Sequence, residues 1–274
     1  LNILNYIILF IVFSICFCFL FIDYSSLSIF KGAPRLTAGF RNPNQLGYFA
    51  VVCFSIGVLL LLLENQNKFF SYTIIFSSIF FSMISLSKAS MLAIFFPSIL
   101  FLIFFSVKKI IFEKSISLYS LVGFLTLIIF YLIPKEFKSN LNFYNRLASI
   151  ADEEDSSLES RGYYTIFENN LFELFFGKGY WSSLYYHELE IHSTFASLFI
   201  NYGLVGFLIY GFFILFWFMF IFKKLGVIGV TLIVLPSLLY GITHNGTRFT
   251  FFYFLVALSI VLLKNSFNIK YYNK

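Results

Sequence analysis

Charge is what this sequence has least of. Asp, Glu, Lys and Arg together make up 12% of its 274 residues, against 59% hydrophobic, and the mean hydropathy is +0.87. Soluble domains carry roughly 25% charged residues, so an ordinary soluble fold is excluded. Cysteine is scarce too. Cys16, Cys18 and Cys53 all fall in apolar stretches. Cys16 and Cys18, two apart on a helix, point to different faces, which argues against a disulfide or a cysteine metal site. Internal repeats, low-complexity tracts and a second soluble domain are missing. No charged residue lies well inside an apolar stretch, and Asn201 is the nearest strongly polar one. Ion- and proton-coupled transporters keep ionisable groups at that depth, so their absence argues against a secondary transporter.

What is present is a series of apolar stretches at roughly 3–22, 46–63, 69–86, 89–107, 115–133, 203–222, 225–242 and 249–263. A helical span needs about 20 residues to cross ~30 Å of hydrocarbon. Threaded alternately, the stretches put Lys68, Lys108, Lys109, Lys114, Lys223, Lys224, Lys264, Lys270 and Lys274 on one face. The short-loop lysine pairs mark that face as cytoplasmic. Arg35, Arg41, Arg146, Arg161 and Arg248, which are all of the arginines, land on the other face with five lysines. Arginines kept outside run against the positive-inside rule and call for another reason. A guanidinium binds phosphate bidentately and never loses its charge, which lysine cannot match. The pattern predicts a phosphorylated substrate handled on the outer face. The net charge of +6 is mostly cytoplasmic lysine and points to topology, not to nucleic acid.

Cytoplasmic connections are short, so the outer loops hold the polar content: 23–45, the tight turn at Lys88, 134–192 and 243–248. The third is long enough for a functional subdomain. Within it, Ser160 to Phe176 is predicted as an amphipathic helix, with Tyr164, Phe167, Leu171, Leu174 and Phe175 on one face and Gly177 as its stop. Such a helix rests on the membrane surface or covers the bundle.

Several motifs admit two readings. Arg41-Asn42-Pro43-Asn44 suits a turn and helix start, with Asn as cap, while Arg41 and Arg35 are favoured as ligand residues. Arg161 follows the acidic run Asp152–Asp155, which reads as a solvated face before a metal site; Arg161 either binds ligand or pairs with that run or Glu168. Gly177-Lys178-Gly179-Tyr180 is either a helix C-cap with a turn or a set of backbone amides for an anion. His187 and His192 are five apart and diverge by ~140° on a helix, which rules out a zinc-protease pair. His192 itself precedes Ser193 and Thr194 at a helix start, where the dipole keeps the ring neutral and able to accept a proton. His244 and the sequon-like Asn245-Gly246-Thr247 carry little weight.

Taken in order, these pieces resemble the bacterial O-antigen polymerase and ligase superfamily of membrane glycosyltransferases, the Wzy/WaaL-like group. The likeness rests on residues 39–46 (GFRNPNQL), 85–90 (SLSKAS), 155–164 (DSSLESRGYY), 176–179 (FGKG), 192–195 (HSTF) and 202–206 (YGLVG), and covers roughly residues 30–225. It implies inverting transfer of glycan from an undecaprenyl-diphosphate carrier to an acceptor glycan, with no nucleotide sugar, cofactor or metal. It further implies that Arg161 and the first-loop arginine, Arg41 ahead of Arg35, bind the diphosphate and that His192 activates the acceptor; Lys88 and Lys178 are further candidate contacts. Two positions depart from the family pattern: Ser193 stands where Asn is frequent, and Lys88 where Arg is common.

The resulting expectation is an all-α, polytopic transmembrane bundle of about eight spans in the bacterial cytoplasmic membrane. Residues 1–274 form one membrane domain, and 134–192 its extracytoplasmic catalytic loop with an amphipathic helix. The chain starts at Leu1, without methionine or a signal-peptide n-region, and is expected to lack N-terminal spans. The expected activity is repeat-unit polymerisation of O-antigen or capsule. Partners are the lipid-linked oligosaccharide, the acceptor glycan, the bilayer, and a chain-length regulator or flippase, with no nucleic acid. A ligase using the same donor, a lipid-linked glycan flippase or exporter, and a structural lipid-diphosphate-binding subunit are the competing readings.

Overall fold

The computed structural model describes residues 2–22, 36–63, 68–113, 163, 169–179, 191, 193–246 and 249–265. Every described element is helical: α1 (Asn2–Leu20), α2 (Pro43–Leu62), α3 (Lys68–Ser85), α4 (Lys88–Glu113), α5 (Leu171–Phe176), α6 (Thr194–Gly229), a π-helical stretch (Val230–Val234), α7 (Leu235–Thr243) and α8 (Thr250–Asn265). Among the described residues, three runs are long and apolar enough to cross a membrane: Pro43–Leu62, Lys68–Ser85 and the run Thr194–Thr243. Ile8–Leu20, Lys88–Ile103 and Thr250–Lys264 are shorter apolar helices. This is the helix inventory of a membrane protein. The apolar stretch 115–133 lies outside the described residues.

α2 is the axis of the bundle. Every residue from Leu46 to Leu60 is buried, as expected of a helix that is apolar all round. α3 packs along it and presents Ser71, Ser78, Ser82 and Ser85 inward. Small hydroxyl residues let membrane helices approach closely and bond across the gap. Ser82 Oγ does so with Ser90 Oγ of α4 at 3.0 Å. α8 closes another side, where Trp217 Nε1 of α6 donates to Ser259 Oγ at 2.8 Å and the Trp217 ring meets Phe252 edge-on.

α6 is not one straight rod. Unbroken, its 36 residues would extend about 54 Å, yet Thr194 at its start bonds to His244 and Gly246 beyond α7. Two glycines break it. Gly203 (φ 63°) and Gly226 (φ 64°) occupy backbone conformations that only glycine adopts without strain. At Gly203 the chain folds back, so the Phe195 ring lies 6.4 Å from that of Phe207, where an unbroken helix would separate them by about 18 Å along its axis. At Gly226 it turns again, immediately after Lys223 and Lys224, where the sequence predicts a short connection. Pro236 then begins α7, following the π-helical stretch. Proline has no N–H to donate, which suits a local widening of the helical ladder.

The predicted helix over 160–176 is corrected. Tyr163, Asn169 and Asn170 are non-helical, and the described helix starts only at Leu171. Asn170 is the reason: its side chain accepts from Glu173 N at 2.9 Å, while Glu173 Oε2 accepts from Asn170 N at 3.1 Å. That reciprocal box fixes a helix start, which the apolar periodicity on either side concealed. Gly177 ends the helix as expected, with φ 78°.

Candidate functional site

The Arg41 turn is built by its own neighbours. Asn42 Oδ1 accepts from Gln45 N at 2.9 Å, Arg41 N donates to Gln45 Oε1 at 3.1 Å, and Pro43 occupies the first helical turn of α2. Asn42 is therefore a cap, and Gln45 an unforeseen partner in the same box. The fixed turn holds Arg41 at the surface, where its guanidinium has no acceptor among the described residues. Beside it runs the turn from α3 to α4. Gly47 has no side chain, which lets Ser87 and Ser90 sit against α2; a Cβ there would come within 2.9 Å of both. Lys88 opens α4 half-buried next to that contact.

The start of α6 is tied to the same end of the bundle. Ser193 caps the helix through Ala196 N at 3.4 Å, and its hydroxyl donates to Tyr163 Oη at 2.7 Å. Tyr163 in turn donates to the Ile242 carbonyl at 2.8 Å. Thr194 Oγ1 donates to the His244 carbonyl at 3.0 Å and accepts from Gly246 N at 2.7 Å. The last four carbonyls of a helix have no partner within it. Tyr163 and Thr194 serve the carbonyls at and just past the end of α7. Tyr240 completes the set: its hydroxyl donates to the Asn44 carbonyl at 2.7 Å, and its ring lies 4.6 Å from Tyr48 and 5.0 Å from His244.

Four separate segments thus meet at one end of the bundle: the Arg41 turn, Tyr163, the Ser193–Thr194 helix start and the Tyr240–Gly246 turn. The Ser87–Lys88 turn packs against the same stretch of α2. Arg35, Arg161 and His192 lie outside the described residues, as do Asp152–Asp155, His187 and most of 134–192. Tyr163 stands two residues from Arg161 in sequence, and Ser193 follows His192 directly.

Lys178 belongs to a different construction. Its Nζ lies 4.0 Å from Glu173 Oε2. The amides of Lys178 and Gly179 donate to the carbonyls of Ile200 (2.8 Å) and Asn201 (3.0 Å), which the break at Gly203 leaves without helical partners. Of the two readings of Gly177-Lys178-Gly179, turn and cap chemistry is the one observed; those two amides are engaged and do not face an anion. Sequence reasoning passed over Tyr48, Tyr163 and Tyr240 and gave His244 little weight. The available signals were the aromatic pair Tyr163-Tyr164, two residues after Arg161, and the four-residue spacing of Tyr240 and His244.

A second feature is an apolar cavity of about 200 Å³ between α1, α2 and α8, lined by residues including Phe10, Ile11, Phe49, Cys53, Phe251 and Phe254. Phe40, the residue before Arg41, has its ring 5.3 Å from Phe49 and 6.4 Å from Phe251. Phe40 thus packs on two residues of the cavity wall. Compared with protein-family models, with curated proteins and with solved structures, the chain matches none.

Proposed function

We propose that this chain is an inverting membrane glycosyltransferase of bacterial surface polysaccharide assembly. It moves glycan from undecaprenyl diphosphate to an acceptor sugar hydroxyl as a repeat-unit polymerase, within an eight-span bundle whose long loop faces away from the cytoplasm. The observation that carries this reading is the meeting of the Arg41 turn, Tyr163, the helix start after His192 and the His244 turn at one end of the bundle. The first three of these are segments to which the family resemblance assigns functional residues. The apolar cavity behind Phe40 supports it further, since a lipid-linked donor needs an apolar slot for its tail.

In this reaction the acceptor oxygen attacks the anomeric carbon as the bond to the carrier's phosphate oxygen breaks from the opposite face. Negative charge grows on the departing diphosphate, and fixed guanidinium groups of Arg41, Arg161 and Arg35 stabilise it. His192 takes the proton from the acceptor hydroxyl, a contribution of ~10²–10⁴-fold for a positioned base. The test is the lipid-linked glycan profile of cells lacking the protein. A polymerase leaves single repeat units on the carrier. Long chains on the carrier would reassign it as a ligase, and single units confined to the cytoplasmic leaflet would make it a flippase.

A further inference from the structure

We infer that Tyr163 is a positioning residue: its hydroxyl joins the long loop to both helix ends and so holds the segment carrying Arg161 against the segment carrying His192. The inference rests on the transferase reading above, but its geometry stands on its own. The Tyr163 oxygen accepts from Ser193 Oγ at 2.7 Å and donates to the Ile242 carbonyl at 2.8 Å. Its partners are 30 and 79 residues away in sequence. One hydroxyl therefore links three segments that the chain itself connects only distantly.

The link is well placed chemically. Ser193 is the cap of α6 and follows His192 directly in sequence. Tyr163 is two residues from Arg161 in sequence. Ile242 lies in the last turn of α7, where a carbonyl has no partner within the helix. Around this relay, Ile191, Ala196 and Ile200 form a small buried apolar cluster against the half-buried Tyr163 ring. The ring packs while the hydroxyl bonds, so Tyr163→Phe removes the link and keeps the packing. Transfer requires leaving-group cations and base to converge on one substrate, and a misplacement of about 1 Å can cost ~100-fold in rate.

The experiment uses the full chain purified in detergent and undecaprenyl-diphosphate oligosaccharide. Tyr163→Phe and Ser193→Ala are each expected to lower kcat by about ten- to a hundredfold, with KM for the donor nearly unchanged. Ser193→Thr, which keeps the hydroxyl, retains most of the activity. The double variant is no slower than the worse single one, because both remove the same bond. In a His192→Ala background Tyr163→Phe costs less than it does in the parent. Parental turnover in Tyr163→Phe, losses that multiply in the Tyr163–Ser193 double variant, or an undiminished loss in the His192→Ala background would each overturn the inference. A second arm needs no catalysis: a thiol probe on Ser160→Cys should react severalfold faster when Tyr163→Phe is added. An unchanged rate overturns the joint itself. A parent that transfers nothing while the labelling rate rises would overturn the transferase reading and the positioning role, and leave only the joint.

Discussion

Arg41 combines a fixed backbone with an exposed side chain. Its amide is held by Gln45 and its neighbour Asn42 caps α2, so the guanidinium projects from a rigid helix start. On the proposed reading it forks a diphosphate, which a lysine point charge cannot do. Arg41→Lys and Arg161→Lys are therefore each expected to lose most polymer formation at unchanged net charge, scored as chain length on gels. Near-normal chains from both would make these arginines surface anchors. Tyr240→Phe tests the scaffold instead. It deletes the bond to the Asn44 carbonyl and should cost about 1 kcal/mol of stability, read by thermal unfolding in detergent; an unshifted transition would show the bond contributes nothing. At this scale the sequence was partly legible. Asn42 as a cap and Ser193 at a helix start follow from side-chain chemistry alone. The bonds of Tyr163 and Tyr240 do not, because they close contacts across 79 and 196 residues that no local pattern encodes.

Two glycines hold one element against another. At Gly177 a Cβ would lie 2.4 Å from the backbone of Asn201 and Tyr202, and at Gly203 one would lie 2.4 Å from the Phe175 carbonyl. Each glycine thus makes room for the other's segment, while its positive φ shapes its own turn. α5 is seated at the break in α6 by this reciprocal fit and by the amides of Lys178 and Gly179. Gly203→Ala combines steric conflict with a positive-φ backbone reserved to glycine, costing about 1–3 kcal/mol, so its unfolding transition should fall clearly below that of the parent. Gly211→Ala is the control, since nothing lies within 4 Å of its added methyl. Equal transitions for the two variants would contradict the clasp. Helix existence was legible here and helix extent was not. Apolar periodicity runs through 160–176, but the Asn170–Glu173 box overrides it. The lysine pair that divides the predicted stretches 203–222 and 225–242 falls just before the kink at Gly226.

The described residues form a bundle packed around α2, with the Arg41, Ser193–Thr194 and Tyr240–Gly246 turns meeting at one end. Hydropathy alone reveals the helices, since a buried helix and a lipid-facing one are both apolar. It does not reveal which helix is central. α2 became so through packing on every side, from Leu46 to Leu60, and its sequence reads like its neighbours'. Sidedness is open to test through the lysine and arginine distribution. Cysteines replacing Lys138 and Ser156 are expected to react with an impermeant thiol reagent in intact spheroplasts, and ones replacing Lys109 and Lys224 to stay protected. The opposite pattern would invert the topology and remove the argument from outer arginines.

Transfer itself is the central claim. Purified parent, His192→Ala and His187→Ala proteins, at equal folded amounts, should be given undecaprenyl-diphosphate oligosaccharide and the formation of longer glycan followed. The account requires the parent and His187→Ala to extend the glycan at similar rates, and His192→Ala to be slower by about two to four orders of magnitude. Extension by His192→Ala at the parent's rate would contradict it.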